Sequence, residues 1–73
     1  MSIEVKAHIT GTVWKIEVDD GDEVHEEDPL IILESMKMEV PIEAPEDGIV
    51  GEILVEEGDA VSEGQVVMIL EEP

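Results

Sequence analysis

Shifted by 37 residues, the chain overlays on itself without a gap. Gly11, Val13, Ile16, Val18, Gly21, Asp22, Val24 and Glu26 recur as Gly48, Val50, Ile53, Val55, Gly58, Asp59, Val61 and Glu63. Ile32, Leu33 and Glu34 recur as Ile69, Leu70 and Glu71, and Ile3, Val5 and Ala7 match Val40, Ile42 and Ala44. One structural unit is therefore used twice, in residues 1–36 and 38–73 of a single domain spanning 1–73, with Lys37 left at the junction. A domain this small buries only about 60% of the surface its unfolded chain exposes, so its stability is modest.

Each copy reads as strands and turns. An alternating strand opens it, Ile3-Glu4-Val5-Lys6 or Val40-Pro41-Ile42-Glu43. A turn is expected at Thr10-Gly11 and at Pro45-Glu46-Asp47-Gly48, then a second strand at Ile16-Glu17-Val18 and Ile53-Leu54-Val55. Further turns fall at Asp20-Gly21-Asp22 and Glu57-Gly58-Asp59. A short segment holding Val24 or Val61 leads to an apolar strand, Leu30-Ile31-Ile32-Leu33 or Val67-Met68-Ile69-Leu70. Glu27 stands where the second copy has Gly64, which leaves that turn unassigned. Val and Ile enrichment favours strands, and no segment keeps a helical period. The fold class expected is all-β: a flattened sandwich or barrel of two small sheets related by a pseudo-two-fold axis. Pro41 belongs on an edge or at a strand start, because it has no N–H for a ladder. The chain termini should lie opposite the tip that carries Lys37.

That tip is unusual. Met36-Lys37 offers none of the Gly, Asn or Asp that tight hairpins favour, yet the repeat ends one strand near Ser35 and begins another near Glu39. Side chains kept at a turn they do not suit suggest selection for function. The chain has three lysines and no arginine, and beyond Lys15 the only permanent cation is Lys37. A lysine at a hairpin tip is solvated, and its amine is open to acylation by a separate enzyme. An acylated lysine makes a tether on the order of 10–15 Å.

Composition excludes several other roles. The net charge of −18 opposes binding to nucleic acid, whose phosphates need Lys and Arg, and to an anionic membrane. It suits a partner with a basic docking face. No apolar run reaches membrane-spanning length and no basic segment precedes one, so the chain is expected to be soluble, unexported and cytoplasmic. With no cysteine, thiolate metal sites and disulfides are out of reach. His8 and His25 have no ligand spacing, and Asp19-Asp20-Gly21-Asp22-Glu23 lacks the order of a calcium loop, so no metal site is expected. Ser35 has no nearby His to serve as base. Trp14 shares number parity with Ile16 and Val18, which predicts core or sheet-face packing.

Gly11-Thr12-Val13-Trp14-Lys15-Ile16, Gly21-Asp22-Glu23-Val24, Glu34-Ser35-Met36-Lys37-Met38-Glu39, Ala44-Pro45-Glu46-Asp47-Gly48 and Glu57-Gly58-Asp59-Ala60-Val61 together resemble the biotinyl/lipoyl attachment domains. The resemblance covers nearly the whole chain and is closest to the compact biotin carboxyl carrier type, with Met-Lys-Met as its specific centre. It implies a barrel-sandwich hybrid of two four-stranded antiparallel sheets. It implies that Lys37 is joined to biotin by a biotin ligase, and that carboxybiotin then passes between a biotin carboxylase and a carboxyltransferase. The domain would be a carrier and not an enzyme. Met36 and Met38 would be read by the ligase, and Glu34, Ser35 and Glu39 are possible ligase contacts. Ser35 stands where biotin carriers usually have Ala, and Glu-Ser at this point is closer to lipoyl domains. A lipoyl carrier modified on the same lysine, or a cofactor-free adaptor of this fold, would share most of these features.

Overall fold

The computed structural model describes residues 2–73. Its elements are β1 (Ser2–Lys6), β2 (Gly11–Ile16), β3 (Glu23–Val24), β4 (Pro29–Ser35), β5 (Met38–Glu43), β6 (Gly48–Ile53), β7 (Ala60–Val61) and β8 (Val66–Glu71). They form two four-stranded antiparallel sheets, ordered β1-β8-β6-β3 and β5-β4-β2-β7. Advancing each strand by one repeat turns the first order into the second, as a pseudo-two-fold requires. The sheets cut across the repeats: each takes two strands from either copy. Neither half holds a complete sheet, so both copies must be present for either sheet to close.

The hydrogen bonds between strands and turns obey the same symmetry. Gly21 N–H donates to Val50 O at 2.7 Å, and Gly58 N–H donates to Val13 O at 2.8 Å. Glu27 N–H donates to Ala44 O at 2.9 Å, and Gly64 N–H to Ala7 O at 2.8 Å. Glu27 has φ of 75° and Gly64 of 88°, so the turn left unassigned in the first copy is the same left-handed turn as in the second. Between the sheets lies an apolar core that includes Val13, Leu30, Ile31, Leu33, Met68 and Leu70, and among the described residues no polar side chain is buried in it. The charged side chains of those residues stay in contact with water, and none needs a buried partner.

Paired irregularities bend the strands. Register shifts occur between Val13 and Lys15 and between Val50 and Glu52, which makes Trp14 and Gly51 the extra residues of matching bulges. A second pair falls at Leu30 and at Val67. A bulge puts two consecutive residues on one face. At Leu30-Ile31 and Val67-Met68 both residues are buried. At Trp14-Lys15 both are exposed.

Three expectations are corrected here. Trp14 is 51% exposed and is not a core residue, because the bulge reverses the face on which its number parity would place it. The second strand of each copy is Gly11–Ile16 or Gly48–Ile53, and runs ahead of the Ile16–Val18 and Ile53–Val55 segments expected to form it. Gly11 is strand and not turn, and the bend precedes it at His8-Ile9. Its glycine is needed for closeness: a Cβ there would sit 2.7 Å from the backbone oxygen of Glu34, and at Gly48 2.8 Å from that of Glu71. Pro41 does lie on an edge strand, β5. At the termini Ser2 pairs with Glu71, the two-fold counterpart of the Glu39–Glu34 pair below the Lys37 tip. The ends of the chain thus hold the place in one sheet that the tip holds in the other.

Candidate functional site

Strands β4 and β5 close on each other through the Ser35–Met38 pair, leaving Met36 and Lys37 as a two-residue loop. Two-residue hairpins favour turns whose backbone twist matches the strands, and type I′ needs positive φ at both central residues. Met36 has φ of 54° and Lys37 of 64°. For residues with a Cβ this conformation costs about 1–2 kcal/mol each. Strain of this kind persists where the surroundings over-determine it, and it gathers at functional sites.

The surroundings here can be named. Ser35 Oγ donates to Thr10 O at 3.0 Å, tying the base of the hairpin to the bend before β2. Thr10 Oγ1 in turn accepts from Glu63 N–H at 3.1 Å, which links that bend to the turn before β8. The two-fold repeats the second bond as Glu26 N–H to Asp47 Oδ1 at 2.8 Å. Gly11 lets the bend approach the hairpin: its missing Cβ would also lie 3.3 Å from Ser35 Cβ. Thr10 and Glu63 were not singled out from the sequence. The available signal was the match of Thr10 to Asp47, two side-chain acceptors at equivalent positions.

All six residues expected at the site, Glu34, Ser35, Met36, Lys37, Met38 and Glu39, fall on this one hairpin. Met36 is 91% exposed and Met38 64% exposed. Lys37 is exposed, and among the described residues it makes no ion pair. The other lysines do: Lys6 Nζ lies 3.9 Å from Glu4 Oε1, and Lys15 Nζ lies 3.5 Å from Glu17 Oε1. Glu34 and Glu39 face each other directly across the strands. Two like charges so placed oppose the hairpin, which is a second cost met at the tip. An open hollow lined by Glu26, Glu46, Asp47, Glu72 and Pro73 includes none of these residues. Among the described residues no group of acidic or His side chains is arranged to hold a metal, and no helix is long and apolar enough to cross a membrane.

A displayed amine, without an ion-pair partner among the described residues, on a hairpin tied at its base suits covalent attachment of a cofactor through an amide. The family model described as "Biotin-requiring enzyme" matches residues 4–70. The chain belongs to this family. It is a biotin carrier domain, and biotin is the cofactor of the family it belongs to. Among its relatives is the biotinylated protein TB7.3 homolog of Mycolicibacterium smegmatis, 45% identical over 42 residues, which are 58% of this chain and 59% of that protein. The biotin/lipoyl attachment protein of Bacillus subtilis is 46% identical over 40 residues, 55% of each chain. These matches span little more than half the length of either relative. The crystal structure of Kluyveromyces lactis urea carboxylase contains a similar domain, with a TM-score of 0.91 and 34% identity, covering 96% of this chain and 6% of that one. In carboxylases such a domain is a carrier and not itself a catalyst.

Proposed function

We propose that Lys37 is the residue that carries biotin, and that residues 1–73 work as one non-catalytic carrier unit. The observation behind this is the hairpin loop: Met36 and Lys37 both hold positive φ with side chains that make it costly. A glycine or asparagine would relieve that cost and lose the amine. The lysine does its chemistry once, when its unprotonated Nζ displaces the activating group from a biotin carboxyl that a biotin ligase has prepared with ATP. Bound biotin supplies a ureido nitrogen that takes up and gives back a carboxyl group. The protein supplies reach and position. The arm swings from a tip braced through Ser35, Thr10 and Glu63, so the volume it sweeps is fixed relative to the two sheets.

Met36 and Met38 are read as the apolar contacts of the ligase, since their exposure leaves them no role in the core. Glu34 and Glu39 are read as contacts for basic groups of the same enzyme. The working partners are a biotin carboxylase and a carboxyltransferase, in the cytoplasm where the ligase finds ATP. A ligase assay tests this reading. Wild-type chain incubated with biotin ligase, biotin and ATP should take up biotin, and Lys37→Arg should take up none while keeping the same circular dichroism spectrum. Incorporation into Lys37→Arg, or preferential loading by a lipoate ligase run in parallel, would contradict it.

A further inference from the structure

The pseudo-two-fold provides an internal comparison of the two outer sheet faces. On the sheet that carries Lys37, residues alternate about the buried Val13, Leu33 and Ile42, so Trp14, Ile32, Glu34, Glu39 and Pro41 face outward. On the other sheet the mate of Trp14-Lys15 is Gly51-Glu52, at the same bulge. Since Gly51 forms that bulge equally well, Trp14 is not required to make it. It is the only aromatic side chain of the protein, and half of it lies in water. Tryptophan is among the commonest anchors of protein interfaces, and Ile32 and Pro41 share this outer face with Trp14.

We infer that this outer face, centred on Trp14, is the docking surface for the biotin carboxylase that charges the arm, and that the carboxylase meets it with an apolar pocket rimmed by basic residues. The inference rests on the proposed attachment at Lys37. Charge selects the occupant. A second copy of this chain would bring another −18 against the first, and nucleic acid and anionic lipid are opposed in the same way. Glu34 and Glu39 stand on the same face, held opposite each other at a cost that a basic rim would cancel. Lys15 is already paired with Glu17 and adds little net charge. Geometry separates this partner from the ligase. A ligase must hold the lysine amine itself, so its contacts concentrate at the tip. A carboxylase needs only the far end of the arm and must orient the body of the carrier. Trp14 lies about four residue steps from Lys37 along the sheet, roughly 13 Å at strand spacing, comparable to the reach of the arm.

The test uses the biotinylated chain as substrate of the biotin carboxylase from the same organism. Intact mass first establishes that wild type, Trp14→Gly and Leu54→Ala each carry biotin. Leu54, 45% exposed and outside the strands, serves as control. Trp14→Gly copies its two-fold mate, and its melting temperature confirms that the fold persists. We expect Trp14→Gly to raise KM for the carrier about tenfold or more with kcat within twofold, to be loaded by the ligase as fast as wild type, and to leave turnover of free biotin unchanged. Leu54→Ala should match wild type. The emission of Trp14, the carrier's one tryptophan, taken as the difference between the mixture and carboxylase with Trp14→Gly carrier, should shift to the blue as carboxylase is added, and less so at high salt. An unchanged KM, or an emission that saturating carboxylase does not move, overturns the docking face while leaving Lys37 as the attachment site. Concentration-dependent dimerisation through Trp14 in sedimentation also overturns it, in favour of a second copy. Wild type that takes no biotin overturns the attachment reading, and this one with it, before any carboxylase is added.

Discussion

Positive φ at a residue with a Cβ is the sharpest local signal in this molecule, and it occurs at only three non-glycine positions among the described residues: Glu27, Met36 and Lys37. They call for different explanations. Glu27 repeats a turn that Gly64 makes without strain, and it does nothing there that the backbone alone would not do. Glu27→Gly should therefore stabilise the fold by about 0.5–1 kcal/mol, the relief of a left-handed residue less the added freedom of the unfolded glycine. Denaturant melts of the two proteins check this, and a lower midpoint for the variant would contradict it. Met36 and Lys37 are strained where function is proposed, so relief there should cost activity. Met36→Gly should gain stability of similar size while biotin ligation slows about tenfold, and Met38→Ala should slow ligation without the gain in stability. If Met36→Gly is loaded as fast as wild type, the methionine has no part in recognition. At this scale the sequence was most readable at the Met36-Lys37 turn, which the internal repeat located where Ser35 pairs with Met38. It was least readable at Trp14, because a bulge breaks the alternation on which face assignment depends.

Strands in the two repeats were legible because each half supplies the same hydrophobic pattern twice, and two weak signals at matching positions make a firm one. The hairpin of β4 and β5 is the clearest case. Propensity alone runs one strand from Leu30 to Ile42, and only the repeat places a turn inside it. The same reading misplaced β2 and β6 because it took Gly11 and Gly48 for turn residues. Their glycines instead admit a neighbouring carbonyl at a distance no Cβ tolerates. That contact is between strands far apart in sequence, so no local pattern carries it. Gly11→Ala should consequently destabilise by about 1–3 kcal/mol, in the range of overpacked sites, since the obstacle is backbone and cannot swing aside. Because that carbonyl belongs to Glu34, beside Ser35, the variant should also slow ligation at Lys37. Chemical melts with a parallel ligase assay separate the two effects; a Gly11→Ala protein as stable as wild type would contradict the close-approach account.

Across the whole molecule, interleaving and charge set the behaviour. Each sheet draws strands from both repeats, so residues 1–36 or 38–73 produced alone should show no cooperative melt, whereas mixing the two should restore β-sheet ellipticity. A net charge of −18 on a chain of 73 residues, with no charged side chain buried among the described residues, makes self-repulsion a general cost of folding. Screening reduces it, so the melting temperature should rise as sodium chloride is added from low ionic strength; a fall would contradict this. The same acidity and the near absence of lysine serve the carrier role proposed here, since they leave few competing amines and draw basic partners. That role depends on a single bond at a single residue. Intact-mass spectrometry with fragment mapping, on wild type and Lys37→Arg co-produced with biotin ligase, tests it most directly. The account predicts one biotin per wild-type chain, mapped to Lys37, and none on the variant. Biotin on Lys6 or Lys15, or an undiminished mass increase in Lys37→Arg, would contradict it.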